Sequence, residues 1–326
     1  MPRTCLAISF IVLIVILAAC GSDQEAPSTA GPADKTTATG VDQAAGVIAF
    51  NTNRAGNSEI YLMNSDGSEP QRVTDDPSPD KGSSWSPDGQ KIAYFNGRDG
   101  NADIYVINAD GSDARRLTDG PAQDVQASWS PDGKQIAFAS DRGGNTEIYV
   151  MNADGTEPVR LTNSPAADFR PTWSPDGQKI AFRSNRDEPN PHTCSRCNDE
   201  IYVMNADGSA LQRLTNDPAF DFAPSWSPDG KKMAFGSDRD GDFEVYVMNA
   251  DGSSLEQITD NDYTDSSPDW SPDGTTLAFD SDRDGDSDIY IMNVDGSDQR
   301  AITDNADNDA DPVWRPQAQA AAGAAR

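Results

Sequence analysis

After residue 46 the chain alternates short apolar runs with clusters of Gly, Asp, Asn, Ser and Pro. One kind of run reads Ile-Tyr-Val-Met, at residues 148–151 and again at 201–204, with apolar side chains at successive positions. A strand patterned in that way is buried on both faces. A second kind reads Ile-Ala-Phe, at 136–138 and 180–182, and is bounded by turn signals. In its fullest form the unit opens with Trp-Ser-Pro-Asp-Gly and closes with Asp-Gly followed by Arg-Leu-Thr. For the unit beginning near Trp173 the pattern predicts strands over 172–174, 179–184, 200–205 and 212–215.

The unit is used six times. Trp85, Trp129, Trp173, Trp226, Trp270 and Trp314 lie 44, 44, 53, 44 and 44 residues apart. Asp-Gly pairs beginning at Asp66, Asp110, Asp154, Asp207, Asp251 and Asp295 keep the same intervals, so one nine-residue insertion explains the long one. A fixed period of this length marks a repeat architecture. Four-stranded sheets covered on both faces need a like sheet on either side, and radial stacking supplies it while leaving only short edges. The expected fold is all-β, a six-bladed β-propeller of four-stranded antiparallel blades. The chain enters at Val47 in the second run of a unit and leaves at Trp314 in the first run of another. The N- and C-terminal strands should therefore pair and close the ring.

Through Trp-Ser-Pro-Asp-Gly and Ile-Tyr-Val-Met-Asn-Ala-Asp-Gly, residues 46–315 resemble the TolB-like six-bladed propeller family with its WD40-like repeat. The resemblance does not extend to the N-terminal α/β domain of TolB itself, since no segment between the spacer and the first blade is expected to hold it.

Charge narrows the partners. The chain has 54 acids and 25 bases, a formal charge of -29, and such a field repels phosphate backbones, which argues against nucleic acid. Of the acids 45 are Asp, a turn and cap residue. His192 is the single histidine, which leaves acid-base and triad chemistry without its usual base. There is no Gly-x-Ser-x-Gly, P-loop or His-Glu-x-x-His. Oligogalacturonate lyases of the resembled family depend on several histidines, which argues against that activity.

Residues 1–19 have the layout of an export signal, with Arg3 followed by an apolar stretch and small residues. The end of that run, Leu17-Ala18-Ala19-Cys20, resembles the bacterial lipoprotein signal, which implies lipidation of Cys20. Residues 20–45 then form the lipidated cysteine and a flexible spacer, 46–316 the propeller, and 317–326 a disordered tail.

Several columns of the repeat could hold chemistry. Asp80, Asp124, Asp168, Asp221, Asp265 and Asp309 stand five residues before each tryptophan. If the tryptophan run is innermost, these acids lie on the loop entering it, near one channel mouth. They either cap their own turns or together hold a metal, calcium (Ca2+) being the candidate, or a cationic partner group. Arg54, Arg98, Arg142, Arg186, Arg239 and Arg283 are followed in the same turn by Glu59, Asp103, Glu147, Glu200, Glu244 and Asp288, which reads as an intra-blade ion pair. The turns 238–244 and 282–288 are acid-rich and look like calcium loops, but their glycine is not at the EF-hand position, and 53–59 makes the same turn with few acids. A plain hairpin is the simpler reading. The tryptophan and Ile-Ala-Phe columns belong to the core between blades.

The insertion carries His192, Cys194 and Cys197. In an exported chain the two cysteines should form a disulfide. Zinc would require a fourth ligand. The function expected is a non-catalytic, lipid-anchored interaction module of the cell envelope, on the periplasmic or cell-surface side. It would be a monomer, touching the membrane only through its lipid and binding an envelope protein or a cell-surface component. The alternative is a metal-dependent polysaccharide-binding or lyase-like propeller enzyme.

Overall fold

The computed structural model describes residues 46–98, 100–187 and 198–317. Among them 24 strands form six four-stranded antiparallel sheets, the blades of a propeller. Each blade is named below by the first residue of its inner strand. The Asp168 blade runs from the inner strand Asp168–Trp173 through Lys179–Ser184 and Glu200–Asn205 to the outer strand Gln212–Arg213. The two middle strands fall where the apolar pattern places them. The inner strand starts four residues before the expected 172, and the outer strand is only two residues long.

A bulge hides the start of the inner strand from the sequence. In the Asp168 blade the register shifts between Phe169 and Thr172, and Arg170 takes φ 51°. The third residue of every inner strand has positive φ: Gly82 67°, Gln126 57°, Arg170 51°, Ala223 51°, Ser267 49° and Asp311 52°. An extra residue in a ladder bends the strand and re-aims its side chain. Here it breaks the period of two that would mark a strand in the sequence.

The ring closes as the repeat phase requires. Asp309–Trp314 pairs with Val47–Thr52, setting Trp314 opposite Ile48, and the Arg315 N–H donates to the Val47 carbonyl at 2.7 Å. Both faces of the third strands are buried, as in Glu147–Asn152, where only the last residue reaches the surface. The core lies between blades. Val47, Ala49, Ile60 and Leu62 of the closing blade pack on Trp85, Ile92, Tyr94 and Tyr105 of the next. Burying one such aromatic contributes about 1.5–3 kcal/mol. The tryptophans also bond across blades, Trp226 Nε1 donating to the Thr172 carbonyl at 3.3 Å. The aromatic columns are thus core.

Each second hairpin also fastens the next inner strand. The Asp168 N–H donates to the Thr146 carbonyl at 2.9 Å, and Asp221 N–H to the Asp199 carbonyl at 2.8 Å. Hairpins and inner-strand starts therefore share one face of the ring, and the Ser-Pro-Asp-Gly turns occupy the other. Among the described residues no helix is long and apolar enough to cross a membrane. Cys20, His192, Cys194 and Cys197, the export signal, the spacer and all but the first residue of the tail lie outside the described residues.

Candidate functional site: the channel and the hairpin face

The six aspartates before the tryptophans do not stand on entering loops. Each is the first residue of an inner strand and is at most 2% exposed. Five of them already hold a cation. Arg54 bonds Asp309 at 2.8 Å, Arg142 bonds Asp124 at 2.8 Å, Arg186 bonds Asp168 at 2.7 Å, and Arg239 and Arg283 bond Asp221 and Asp265 at 2.9 Å. This corrects the pairing expected for the arginine column, whose partner lies on the inner strand instead of at the end of its own turn. It also removes the open ring of unneutralised carboxylates on which the metal reading rested. The arginine planes lie on the core aromatics, Arg239 Cζ 4.7 Å from the Tyr246 ring, so the pair is fixed by packing.

Asp80 is the exception. Arg98 turns to Asp76 at 2.9 Å, and Asp80 receives the Asn96 side-chain amide at 2.5 Å instead. Burial, helped by the neighbouring acids Asp76 and Glu59, pushes Asp80 up to about 7 against the pull of its hydrogen bonds.

In four blades the acid that opens the third strand is held by an arginine of the outer strand, a pairing the sequence expectations do not contain. Arg72 bonds Glu59 at 2.8 Å, Arg116 bonds Asp103 at 2.5 Å, Arg160 bonds Glu147 at 2.6 Å, and Arg213 bonds Glu200. The Arg of each Arg-Leu-Thr or Arg-Val-Thr motif was the available signal.

A central cavity of about 370 Å³ is lined by the bulged residues and their neighbours, among them Gly82, Gln126, Arg170, Ala223, Ser267 and Asp311. Unlike the paired columns, this one differs at every position of the ring. The Arg170 guanidinium bonds Asp311, on the blade diametrically opposite in the ring, at 2.8 Å. Asp311 also accepts from Asn51 Nδ2 and Ser267 Oγ, each at 3.1 Å, while its own N–H donates to Asp280 at 3.1 Å. Burial works to raise the Asp311 carboxyl, but Arg170 and the hydroxyl outweigh it and hold it below the usual range. Asp280 is pushed up to about 7 by burial and by Asp311, against the weaker pull of its hydrogen bonds and of Arg170. Burial likewise raises Asp269, on the cavity wall, to about 6.

Beside the cavity, on the hairpin face, lies an aromatic cluster. Phe169, Phe220, Phe222 and Phe243 are half-buried, with Phe222 and Phe243 edge to face at 5.0 Å. The Arg183 guanidinium sits between two rings, 4.8 Å from Phe169 and 5.0 Å from Phe220, and bonds Asp199 at 3.0 Å. Burial lowers Arg183 to about 10 despite Asp199. In other blades these columns hold Lys81, Val125, Ser266 and Ala310 for Phe169, and Ser58, Ala102, Thr146 and Ser287 for Phe243. Sequence reasoning missed the cluster because it followed what the copies share. Their departures from the repeat were the signal.

The geometry agrees with comparison to known proteins. The family described as TolB beta propeller domain matches residues 42–127, 193–265 and 223–323. The propeller is similar to the crystal structure of TolB from Acinetobacter baumannii, with a TM-score of 0.74, 24% identity, and coverage of 86% of this chain and 69% of that one. It is also similar to putative TolB from Agrobacterium tumefaciens, with a TM-score of 0.63, 24% identity, and coverage of 83% and 98%. A Protein TolB homolog from Chlorobium chlorochromatii is 48% identical over 40 residues, a match spanning 12% of this chain and 9% of that protein's length. Six blades of this repeat, closed by pairing of the chain ends and matched by that family over most of the folded residues, place the chain in the TolB beta propeller domain family.

Proposed function

We propose that the protein is a non-catalytic interaction module of the cell envelope, exported and lipid-anchored through Cys20, which binds a protein partner on its hairpin face. The observation that carries this reading is the placement of divergence. The Asp and Arg columns that pair and the aromatic columns that pack are nearly constant around the ring, whereas the columns lining the channel and those of Phe169, Phe220, Phe222 and Phe243 vary and bring these four rings together. Half-exposed aromatics around an arginine are the residue types that anchor interfaces. The net charge of -29 steers towards the site a partner with a basic segment. An exported chain tethered by one lipid and a spacer fits envelope placement, as does kinship with TolB propellers.

Crosslinking in intact envelopes tests the site. The parent chain is expected to yield a discrete adduct that is lost in Phe220→Ser/Phe243→Ser and kept in Asp132→Asn on the turn face. Equal adducts in all three would remove the hairpin face from the interaction. For the anchor, Cys20→Ser should move the protein from the membrane fraction to the soluble one.

A further inference from the structure

Four blades close the buried acid of the third strand with an outer-strand arginine, and two do not. In the first group the acids Glu59, Asp103, Glu147 and Glu200 meet Arg72, Arg116, Arg160 and Arg213, and the residue two places before each acid is Asn57, Asn101, Asn145 or Asn198. In the Asp221 and Asp265 blades the acids Glu244 and Asp288 remain, but Gln257 and Ala301 stand in the arginine column and Asp242 and Asp286 in the asparagine column. Each of these two blades has lost a positive charge and gained a negative one around the same buried carboxylate.

In the Asp265 blade the result is a converging set of oxygens. Asp284, Asp286 and Asp288 each offer a carboxylate oxygen, and the three oxygens lie within 4.8 Å of one another. Asp288 is 1% exposed; its Oδ1 accepts from Thr303 Oγ1 at 2.7 Å, and its Oδ2 has no donor. Asp286 Oδ2 is a second buried oxygen with no donor. A carboxylate taken out of water needs a cation or a full set of hydrogen bonds, and here the arginine that does this elsewhere is absent.

We infer that Asp284, Asp286 and Asp288 bind a divalent cation, calcium by their chemistry, in place of the missing arginine. Calcium takes oxygen ligands at about 2.3–2.6 Å, so two ligands on one ion can lie up to about 5 Å apart, and the cluster already fits. Magnesium demands a smaller, nearly ideal octahedron and keeps several of its waters, which an irregular hairpin serves less well. The Asp221 blade also leaves Asp242 Oδ2 and Glu244 Oε2 without a donor, but among the described residues only Asp284, Asp286 and Asp288 converge. In the Asp221 blade the Gln257 side-chain amide donates to Asp240, drawing that carboxylate to the outer strand. The site is distinct from the aspartates that open the inner strands, five of which hold arginines.

Calorimetric titration of the full chain with calcium chloride alone, and separately with magnesium chloride, tests the site in the parent, in Asp286→Asn and in Ala301→Arg. Each substitution restores what four other blades have. Calcium should bind the parent, and both variants should lose at least roughly tenfold in affinity. Calcium should raise the melting temperature of the parent, and calcium-free Ala301→Arg should melt above the calcium-free parent. The inference is overturned if Ala301→Arg binds calcium as the parent does, or if the parent shows no binding at about 10 mM, above the ~10⁻⁴–10⁻³ M range of weak extracellular sites. It is equally overturned if magnesium binds as tightly, or if calcium binding falls in Asp221→Asn and not in Asp286→Asn.

Discussion

On the turn face Ser86, Ser130, Ser174, Ser227 and Ser271 each donate to the Asp two residues later, at 2.6–2.8 Å. Each hydroxyl also accepts the N–H that starts the second strand, at 2.9–3.0 Å. On the hairpin face the same period brings Gly82, Gln126, Arg170, Ala223, Ser267 and Asp311 to equivalent bulges, and their bonds differ from blade to blade. The repeat thus keeps what closes its turns and, in five blades of six, the pair between the inner-strand aspartate and the hairpin arginine. It is free to vary where a strained backbone aims a side chain into the channel. Non-glycine residues at positive φ cost roughly 1 kcal/mol or more each, a strain the channel column shares with Glu69, Asp113, Glu157, Ala210, Ser254 and Asp298 in the turns before the outer strands. If this division is right, damage to a constant column should cost stability, and damage to a variable one should cost little.

The largest effect belongs to ring closure. Truncation after Asp311 removes Val313 and Trp314, the latter packed with Ile48, Phe50 and Met63 in the seam beside the closing blade. Losing one large core aromatic costs about 3–5 kcal/mol, and the lost ladder bonds add to it. That is most of the stability of an ordinary domain. A truncated chain that melts cooperatively at the parent temperature would show that the ends do not close the ring.

Next come two members of one column with opposite expected signs. Asp221→Asn strands Arg239, whose side chain is 14% exposed, and should cost about 3 kcal/mol, since breaking a buried pair leaves an uncompensated charge. Asp80 has no arginine, and its folded value of about 7 stands above its unfolded value of 3.8. The native state then holds the extra proton, so this group's contribution to stability falls as pH rises from about 4 to about 7. Asp80→Asn should therefore melt above the parent at pH ~8 and lose that advantage towards pH ~4, where Asp80 is protonated. Melting curves of both variants across that range check the pair. Destabilisation by Asp80→Asn at alkaline pH would mean that its charge is compensated after all.

How far this was legible in the sequence follows from the same division. Tryptophan spacing and the apolar run at 148–151 announce the blades, because core packing must repeat wherever blades stack. The six Asp and six Arg were visible as columns, yet their pairing was not. Arg54 lies five residues from Glu59 and 255 from Asp309, and only the register that sets Asp309 opposite Thr52 shows which acid it meets. The channel was hidden twice. Its bulge destroys the strand period, and its residues share no type that a column search could find. The exchange of Ala301 and Asp286 for arginine and asparagine was on the page as sequence, but it has meaning only once Arg72, Arg116, Arg160 and Arg213 are seen to close on the equivalent acids.

The smallest effect is expected in the channel. Arg170 and Asp311 form a pair across it, but their side chains are 31% and 26% exposed, and pairs that water reaches contribute about 1 kcal/mol or less. Arg170→Met keeps the unbranched stem of the side chain and removes its charged head, so near pH ~6, where Asp280 with its value of about 7 is mostly protonated, the melting temperature should barely move. As pH rises to ~8 Asp280 ionises beside Asp311 with no guanidinium to offset the two charges, and the gap between variant and parent should widen. Thermal melts at the two pH values suffice. A loss at pH ~6 as large as the ~3 kcal/mol expected for a buried pair would place Arg170 and Asp311 among the residues that hold the ring together, and the division between the constant and variable columns would fail at its centre.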